Sequence, residues 1–284
     1  MTPRLNRFLL VVLLATIVPM YWLLFDNRPG DAQAKPVSIA QLRALAAGKP
    51  GDRPQAIQFE ALGWKRQMRN FSAAGRGLRL DRMYTFSYRL EFADRTPVLI
   101  NSGLTYKQAR NLDFGGYFAN AQARVNAAMR EASHIVMLNS RLDLTGGVRA
   151  FRIRKDEDTI GQTIGGTNPD GTTSSPYVLA PGVVVIPTPE RLAKTRLVYV
   201  RMADGREYLF AGGLSPRSWS WTETRAPARY LTDFMRDEHR DETYAWLLTL
   251  RKLKREAPGL VIVSGGRVPK NSMLDHKFPV AQKK

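Results

Sequence analysis

Cysteine is absent from the 284-residue sequence. Its absence excludes disulfide bonds, thiolate metal ligands and a cysteine nucleophile, although it does not identify the cellular compartment. Histidine is nearly as scarce, with three residues at His134, His239 and His276. Because imidazole is the usual ligand of catalytic zinc and the usual base for a serine nucleophile, so few histidines limit both kinds of chemistry.

Acidic residues are also few. The sequence has 25 aspartates and glutamates against 43 lysines and arginines, which gives a formal net charge of +18. Such an excess favours anionic partners, either phosphate polymers or lipid head groups, through a long-range field that salt screens. A basic surface that is simply well solvated is the alternative. Hydrophobic residues make up 44% of the chain, which is enough to bury a sizeable core and excludes wholesale disorder.

One long apolar run, residues 8–25, contains no charged side chain. As a helix it spans roughly 27 Å, close to the hydrocarbon thickness of a bilayer. Arg4 and Arg7 precede the run, whereas Asp26 and Asp31 follow it. The positive-inside rule therefore predicts a signal-anchor in the cell membrane, with the N-terminus in the cytoplasm and the domain on the periplasmic or extracytoplasmic side.

A cleavable signal peptide is the alternative, because residues 32–34 (Ala-Gln-Ala) have the small-x-small form of a cleavage site. That site lies well beyond the apolar run, and the run is longer than a usual signal-peptide core. We therefore expect an uncleaved anchor with residues 1–7 as a cytoplasmic stub. Both interpretations export the domain.

The remaining chain divides by composition into three parts. Residues 26–54 are rich in Pro, Gly, Asp and Ala and predict a linker with a short helix over 39–47. Residues 55–270 have globular patterning, and residues 271–284 form a basic tail. The longest loop, 156–177, is either a lid over a pocket or a mobile segment without function.

Alternation and apolar runs predict the secondary structure of the globular part. Strands are expected within 57–62, 83–92, 97–100, 134–138, 183–187, 196–202, 206–213 and 260–266, and helices within 105–110, 120–132 and 232–256. Strands and helices do not alternate strictly. This order is typical of the α/β (α+β) class, in a sandwich of two mixed β-sheets flanked by helices.

Four segments in this order resemble a known pattern: PVLINSG (97–103), IVMLNSRLDLTGGVRAF (135–151), IPTPERLAKTRLVYVRMADGREYLFAGG (186–213) and LVIVSGG (260–266). Their order and spacing are similar to those of the metallo-β-lactamase superfamily, nearest its lactonase and glyoxalase II-like branch. The resemblance covers residues 55–270. It implies a four-layer αβ/βα sandwich and a hydrolase-like fold, preceded here by one N-terminal transmembrane helix.

The family's metal ligands are missing from the positions that the resemblance assigns to them. The family's His-x-His-x-Asp-His loop supplies three His and one Asp, and its other ligands follow the later strands. The vestigial metal-site positions here are Asn139, Arg141, Asp143, Leu144, Thr195, Gly213 and Gly266. Only the aspartate remains. Asn101 replaces a family aspartate and is expected to keep that residue's loop hydrogen bonds in neutral form.

We therefore expect no metal and no other cofactor. Zinc needs three or four N, S or O donors at about 2.0–2.3 Å, which Asp143 alone does not supply. A guanidinium at Arg141 would also repel a dication by several kcal/mol. Asp143 has a purely structural explanation as well, because a carboxylate at a helix start caps free N–H groups.

The expected function is accordingly that of a non-catalytic binding, scaffold or regulatory module. If Arg141, Arg191 and Lys194 line the cleft, it is a candidate site for a small anionic ligand or an anionic lipid. The alternative is that Arg141 forms a structural ion pair with Asp143 or Glu190 in place of the metal.

Two other functions are weighed against this one. An ester or lactone hydrolase with relocated, metal-independent catalysis would need a nucleophile such as Ser140 or Thr195, and no histidine is placed to activate it. Nucleic-acid binding would use the net charge. Export, and the lack of a concentrated basic helix with interleaved aromatics, argue against it.

Overall fold

A computed structural model describes residues 2–152, 175–188, 191, 195–235, 238–267, 274–276 and 278. Most of the predicted lid, 156–177, lies outside the described residues. The helices are α1 (Pro3–Leu24), α2 (Ile39–Leu45), α3 (Tyr106–Asn111), α4 (Ala119–Glu131), α5 (Leu142–Arg152), α6 (Ser218–Thr222), α7 (Arg229–Phe234) and α8 (Arg240–Glu256). Single 3₁₀ turns cover Pro50–Asp52 and Arg69–Phe71.

Eleven strands form two sheets within this described part of the chain. They are β1 (Ala56–Met68), β2 (Leu80–Glu91), β3 (Val98–Ile100), β4 (Gly116–Tyr117), β5 (His134–Val136), β6 (Tyr177–Ala180), β7 (Val183–Pro187), β8 (Arg196–Arg201), β9 (Glu207–Phe210), β10 (Val261–Val263) and β11 (Asp275–His276). The first sheet has the order β11-β1-β2-β3-β5, with β4 beside β1, and the second has the order β10-β9-β8-β7-β6.

Both sheets are mixed, as the sequence predicts. In the first, β1, β2 and β3 are antiparallel, and the β3–β5 pair is parallel. In the second, β6 to β9 run antiparallel, and β10 joins β9 in parallel. The parallel pairs place the ends of β3 and β5 at one edge of the first sheet, and those of β9 and β10 at one edge of the second.

Alternating side chains of β7 show why the molecule has four layers. Val183 and Val185 point into the core between the sheets, where they join residues such as Tyr88 and Phe210. Val184 and Ile186 point the other way, towards α8. Because successive side chains on a strand face opposite sides, a strand that is apolar throughout must be covered on both faces. The apolar pattern VVVIP therefore requires a helix layer outside the sheet.

Helices form the two outer layers of the sandwich, one outside each sheet. Trp246, Leu247 and Leu250 of α8 cover the second sheet. Residues of α3, α4 and α5 cover the first sheet, in a cluster that includes Val125 and Val148. This arrangement confirms the predicted sandwich of two mixed sheets flanked by helices.

The segments that flank residues 55–270 differ from the sequence prediction. Residues 26–54 do not form a free tether, because Ile39 and Leu42 of α2 are buried in the same cluster as α8. The segment predicted as a basic tail, residues 271–284, contributes β11 to the first sheet and buries Phe278. The first segment contains the short helix that its sequence predicts, whereas the described residues 274–276 and 278 lack an alternation long enough to predict a strand, and tertiary packing places them.

Gly147 of α5 allows this helix to approach the loop that follows β3. A Cβ at this position would lie 2.1 Å from the carbonyl oxygen of Ser102, and the Gly147 N–H donates to the Gly103 carbonyl at 3.0 Å. Gly147→Ala is therefore expected to lower the free energy of unfolding by about 1–3 kcal/mol, despite the higher helix propensity of alanine.

Chemical denaturation of the full chain in an uncharged detergent measures this effect. Gly259→Ala is the matched control, because a Cβ there would meet nothing within 4 Å, and we expect its stability to stay within about 0.5 kcal/mol of the parent. Equal denaturation midpoints for the two variants would show that the close helix approach is not needed.

Candidate functional site

The predicted cleft lies where the strands of both sheets end. Loops after β3, β5, β9 and β10 bring together Asn101, Asn139, Gly212 and Ser264. The enclosed space is only about 40 Å³, room for a few water molecules at most. Side chains from β1 and β2 also line it, and these are Lys65, Gln67, Met83, Tyr84, Thr85, Phe86 and Tyr88.

Asn101 supports the floor of the cleft in the way predicted for it. Its backbone has φ of 65°, in the left-handed region that asparagine tolerates better than most residues. Its side-chain NH₂ donates to the Phe86 carbonyl at 3.2 Å, and its Oδ1 accepts from the Leu138 N–H at 3.1 Å. The amide therefore ties the ends of β3 and β5 to the middle of β2 without a charge.

Arg141 and Asp143 form a two-pronged ion pair in the cleft. The Nε atom of Arg141 lies 3.0 Å from Oδ1 of Asp143, and a terminal nitrogen lies 2.6 Å from Oδ2. Asn139 accepts the Arg141 backbone N–H at 2.9 Å, which fixes the turn that aims the guanidinium. Asp143 is 4% exposed, whereas the side chain of Arg141 reaches the surface. This is the structural ion pair that the sequence left as an alternative to a free anion pocket.

The charges around Asp143 keep its carboxylate ionised. Burial by itself raises the pKa of this carboxyl, but the charges of Arg141 and Lys65 outweigh burial and lower the pKa below its ordinary value. A carboxylate with a lowered pKa is a weak base. Thr85 is its nearest hydroxyl, with Oγ1 3.5 Å from Oδ2 of Asp143, so Asp143 is poorly suited to activate that hydroxyl.

Asp143 also lies in the first turn of α5. Negative charge is favourable at the N-terminal end of a helix, so the predicted structural role near the helix start is compatible with the ion pair. Leu144 lines the same cleft and packs against the core between the sheets.

Gly213 and Gly266, which the resemblance assigns to ligand positions, face space already filled by other side chains. A Cβ on Gly213 would lie 2.8 Å from the side-chain nitrogen of Asn139. A Cβ on Gly266 would lie 2.3 Å from Cε of Met83 and 2.9 Å from the carbonyl oxygen of Pro216. Met83 and Asn139 thus occupy the directions in which side chains at Gly266 and Gly213 would have to point.

Two other predicted site residues, Thr195 and Arg191, do not line the cleft. Thr195 is buried, and its hydroxyl bonds to both the hydroxyl and the carbonyl of Thr188, at 2.7 and 2.8 Å. Arg191 does not line the cleft as the anion-pocket hypothesis requires. It is 2% exposed and forms a buried ion pair with Glu238 at 2.5 Å. Lys194 and Glu190 lie outside the described residues.

The cleft residues do not fit a metal ion. Within the part of the chain that the structure describes, no group of three or more His, Asp or Glu side chains is close enough to hold one. The one carboxylate at the former ligand positions, Asp143, has both oxygens engaged by Arg141. A metal would have to displace that guanidinium and would still lack the donors that catalytic zinc requires.

Sequence reasoning missed Lys65, Met83 and Thr85 as cleft residues. All three lie on β1 and β2, which resemble ordinary alternating strands and carry no motif. Their positions follow from the register of the β1–β2 pair, in which Lys65 lies opposite Met83. No local signal in the sequence marks them.

Comparisons with known proteins were made by sequence and by structure. No family model matches the sequence, and no curated protein matches it. The structure is similar to a quorum-quenching N-acyl homoserine lactone lactonase, with 15% identity, a TM-score of 0.56, and coverage of 75% of this chain and 93% of that one. It is also similar to a quorum-quenching N-acyl homoserine lactone hydrolase (14% identity, TM-score 0.57, 75% and 93% covered).

A third similar structure is B. thuringiensis AiiA with N-decanoyl-L-homoserine bound at its active site, with 14% identity, a TM-score of 0.55, and 75% and 93% of the two chains covered. At such low identities the similarity shows the fold. The chain therefore has the metallo-β-lactamase fold that its four segments resemble. Activity does not follow from a shared fold, because function depends on the residues of the site.

Proposed function

We propose that this protein is a membrane-anchored, exported module of the metallo-β-lactamase fold that binds or scaffolds rather than catalysing metal-dependent hydrolysis. The observation that carries the proposal is the Arg141–Asp143 ion pair, which lies where the resemblance places the metal ligands. Met83 and Asn139 also support the proposal. They occupy the space into which side chains at Gly266 and Gly213, two further positions that the resemblance assigns to ligands, would extend. The cleft is thus closed by protein side chains.

Metal content tests the catalytic half of the proposal. We expect the full chain, purified in an uncharged detergent and dialysed, to retain far less than one atom of zinc, iron or manganese per molecule by elemental analysis. Arg141→Ala is the matched variant: it frees Asp143 but adds no donor, so it should also remain metal-free. Stoichiometric metal in the parent chain that is lost in Asp143→Asn would contradict the proposal.

Metal-independent ester or lactone hydrolysis is the competing function. The lactonases that share the fold suggest the substrate class, but a space of about 40 Å³ does not admit an acyl lactone without rearrangement. Asp143 is also a weak base. A panel of esters and lactones assayed without added metal should therefore show no turnover above that of Asp143→Asn.

The proposed membrane anchorage depends on α1. This helix has a mean hydropathy of 2.1 over its most apolar window, and none of that window is buried by the domain. A signal sequence would pass the same test of length and composition. In favour of an uncleaved anchor, the segment directly after α1 satisfies buried groups of the domain.

Two such contacts involve residues 26 and 27. A terminal nitrogen of Arg240 donates to the Asp26 carbonyl at 2.7 Å, and the Tyr244 hydroxyl bonds to Oδ1 of Asn27 at 3.1 Å. Arg240 is 6% exposed. Cleavage after Ala34 would remove these partners and leave buried polar groups of α8 without them, which is costly.

Single introduced cysteines test the membrane topology, because the natural chain contains none. We expect a membrane-impermeant maleimide applied to intact cells to label Asp94→Cys, which is on an exposed loop, but not Thr2→Cys. Both should react after the membrane is permeabilised. Labelling of Thr2→Cys in intact cells would reverse the orientation, and a mature chain that lacks residue 2 by mass would show cleavage.

A further inference from the structure

A second hollow, much larger than the cleft, lies beside it. Its volume is about 680 Å³, within the range of pockets that hold small molecules. The segment around α6, the end of α8, the strand β10 and the β1–β2 turn surround it, and Ser264 lines both this hollow and the cleft. We call it the arginine–tryptophan pocket, after Arg69, Arg76, Arg217, Arg267, Trp219 and Trp221 in its lining.

Positive charge in this pocket exceeds the negative charge available to neutralise it. Lys254 lines it together with the four arginines, and among the described lining residues Asp81 is the one carboxylate. Asp81 is shared, because it pairs with Arg217 at 2.9 Å and lies 3.9 Å from Nε of Arg69. Arg76 already pairs with Glu223, which is not in the lining. Among the described lining residues, Asp81 is then the carboxylate that faces Arg69, Arg217, Arg267 and Lys254, so an anion in the pocket would gain from the remaining positive charge.

Arg217 shows most directly that a partner is missing. It is 7% exposed, and one terminal nitrogen bonds to the Arg82 carbonyl and pairs with Asp81. Its Nε is buried and has no hydrogen-bond partner among the described residues. Burial lowers the pKa of this guanidinium, and the neighbouring charges of Arg267 and Arg69 lower it further, against the opposing effect of Asp81.

Three further buried N–H groups of the pocket share this condition: Arg69 Nε, Arg76 Nε and Trp221 Nε1. An unsatisfied buried donor costs about 1–3 kcal/mol, so four around one hollow require an explanation. A phosphate or similar oxyanion presents acceptor oxygens in several directions at once. An oxyanion in the pocket is therefore a candidate acceptor for these donors.

The pocket also has an apolar wall. Val261 and Ile262 of β10 line it beside the two tryptophans, and the Arg76 guanidinium lies 5.1 Å from the centre of the Trp219 ring. An inorganic ion would leave this wall unused. The combination favours a ligand that joins an oxyanion to an apolar part.

Such a ligand has a source next to the pocket if α1 crosses the membrane as proposed. Gly75, the neighbour of Arg76, lies close to Phe25 at the end of α1. A Cβ added to Gly75 would be 3.4 Å from the Phe25 carbonyl oxygen. Trp22 of α1 stacks with Arg229 of α7, at 5.0 Å. The side chains of Leu78, Leu80, Tyr230, Phe234 and Met235, on segments that flank this region, are all exposed. Exposed apolar side chains beside a membrane helix are suited to the bilayer interface.

We propose that the arginine–tryptophan pocket binds the phosphate group of an anionic membrane lipid, with Arg69, Arg217 and Arg267 holding the oxyanion and the tryptophans contacting the apolar part. The lipid source rests on the anchorage proposed above. Oxyanion binding does not, because the pocket is formed by the domain itself.

Titration of the full chain in an uncharged detergent, followed by tryptophan fluorescence and calorimetry, tests the pocket. We expect short-chain phosphatidic acid to bind, and Arg69→Gln with Arg267→Gln to weaken binding by about 10-fold or more. Arg110→Gln is the control for loss of a surface positive charge, because Arg110 is exposed on α3, and it should leave the affinity unchanged. Asp81→Asn should tighten binding, because it removes the carboxylate that competes with the ligand.

The choice of probe separates the two sources of phosphate. A lipid site predicts that short-chain phosphatidic acid binds more tightly than inorganic phosphate, and that Trp219→Ala weakens only the former. Equal affinities would assign the pocket to a soluble phosphate instead of a lipid. The proposal is overturned if neither probe binds, or if the double arginine variant matches Arg110→Gln. Topology labelling is independent, so a failure of anchorage is distinguishable from a failure of the pocket.

Discussion

Replacement of Arg191 by methionine is expected to lower the free energy of unfolding by about 3–5 kcal/mol, because it leaves Glu238 as a buried charge without its cation. The two side chains are 2% and 1% exposed and lie 2.5 Å apart. The backbone is joined at the same place, since the N–H of His239, which follows Glu238, donates to the Arg191 carbonyl at 2.9 Å. Loss of the pair should therefore loosen the start of α8 from the second sheet. Chemical denaturation with two spectroscopic probes measures the effect.

Two further variants separate the effect of the buried charge on the free energy of unfolding from the effect of lost packing. Arg191→Met with Glu238→Gln should recover much of the stability, because a neutral amide at 238 still accepts from Thr243 and is less costly to bury. Arg206→Met removes a pair in which both side chains are partly exposed, and it should cost at most about 1 kcal/mol. If the buried and the exposed variants unfold alike, Arg191 is not a structural cross-link.

Replacement of Arg141 by glutamine is expected to cost about 2–4 kcal/mol at neutral pH, less than the fully buried pair because Arg141 is partly exposed. The size of this cost depends on pH. In the parent chain the pKa of Asp143 is lower in the folded protein than in the unfolded one, so the carboxylate stabilises the fold above the unfolded pKa. This stabilisation is lost as the pH falls through the folded pKa.

The variant loses the principal group that keeps Asp143 ionised. Burial is then opposed mainly by Lys65, so the folded pKa of Asp143 rises. The unfolded pKa of Asp143 is the same in parent and variant and cancels, so the difference in unfolding free energy should be largest near neutrality and shrink as the pH falls through the raised folded pKa of the variant towards the lowered folded pKa of the parent. Denaturant melts across this pH range measure it.

Asp143→Asn is the control background for the pH dependence, because it lacks the titrating carboxyl, and adding Arg141→Gln to it should cost the same at every pH. Arg110→Gln controls for a simple loss of positive charge. A pH-independent cost in the Arg141 single variant would mean that the guanidinium acts through packing, and the ion pair would no longer account for the closed cleft.

The sequence determined the fold class and the vacant metal positions because both depend on local pattern. VVVIP at 183–187 must be covered on both faces wherever it is placed, and the four segments resemble the family in the right order. A polar, neutral side chain at Asn101 was also predictable, although its hydrogen bonds go to Phe86 of β2 and to Leu138 after β5 rather than to its own loop. The identities of Asn139, Gly213 and Gly266 are visible without coordinates, so the loss of those ligands needs no structure.

Tertiary structure alone decided how the vacated cleft is occupied. Two arginines that the sequence analysis assigns to the same candidate anion site are placed differently: Arg141 pairs with Asp143 in the cleft, whereas Arg191 is buried and pairs with Glu238. Met83 reaches the cleft through strand register, and Arg217 meets Asp81 across more than a hundred residues. Contacts between distant segments depend on how the sheets and helices pack, and local sequence patterns carry no information about such packing.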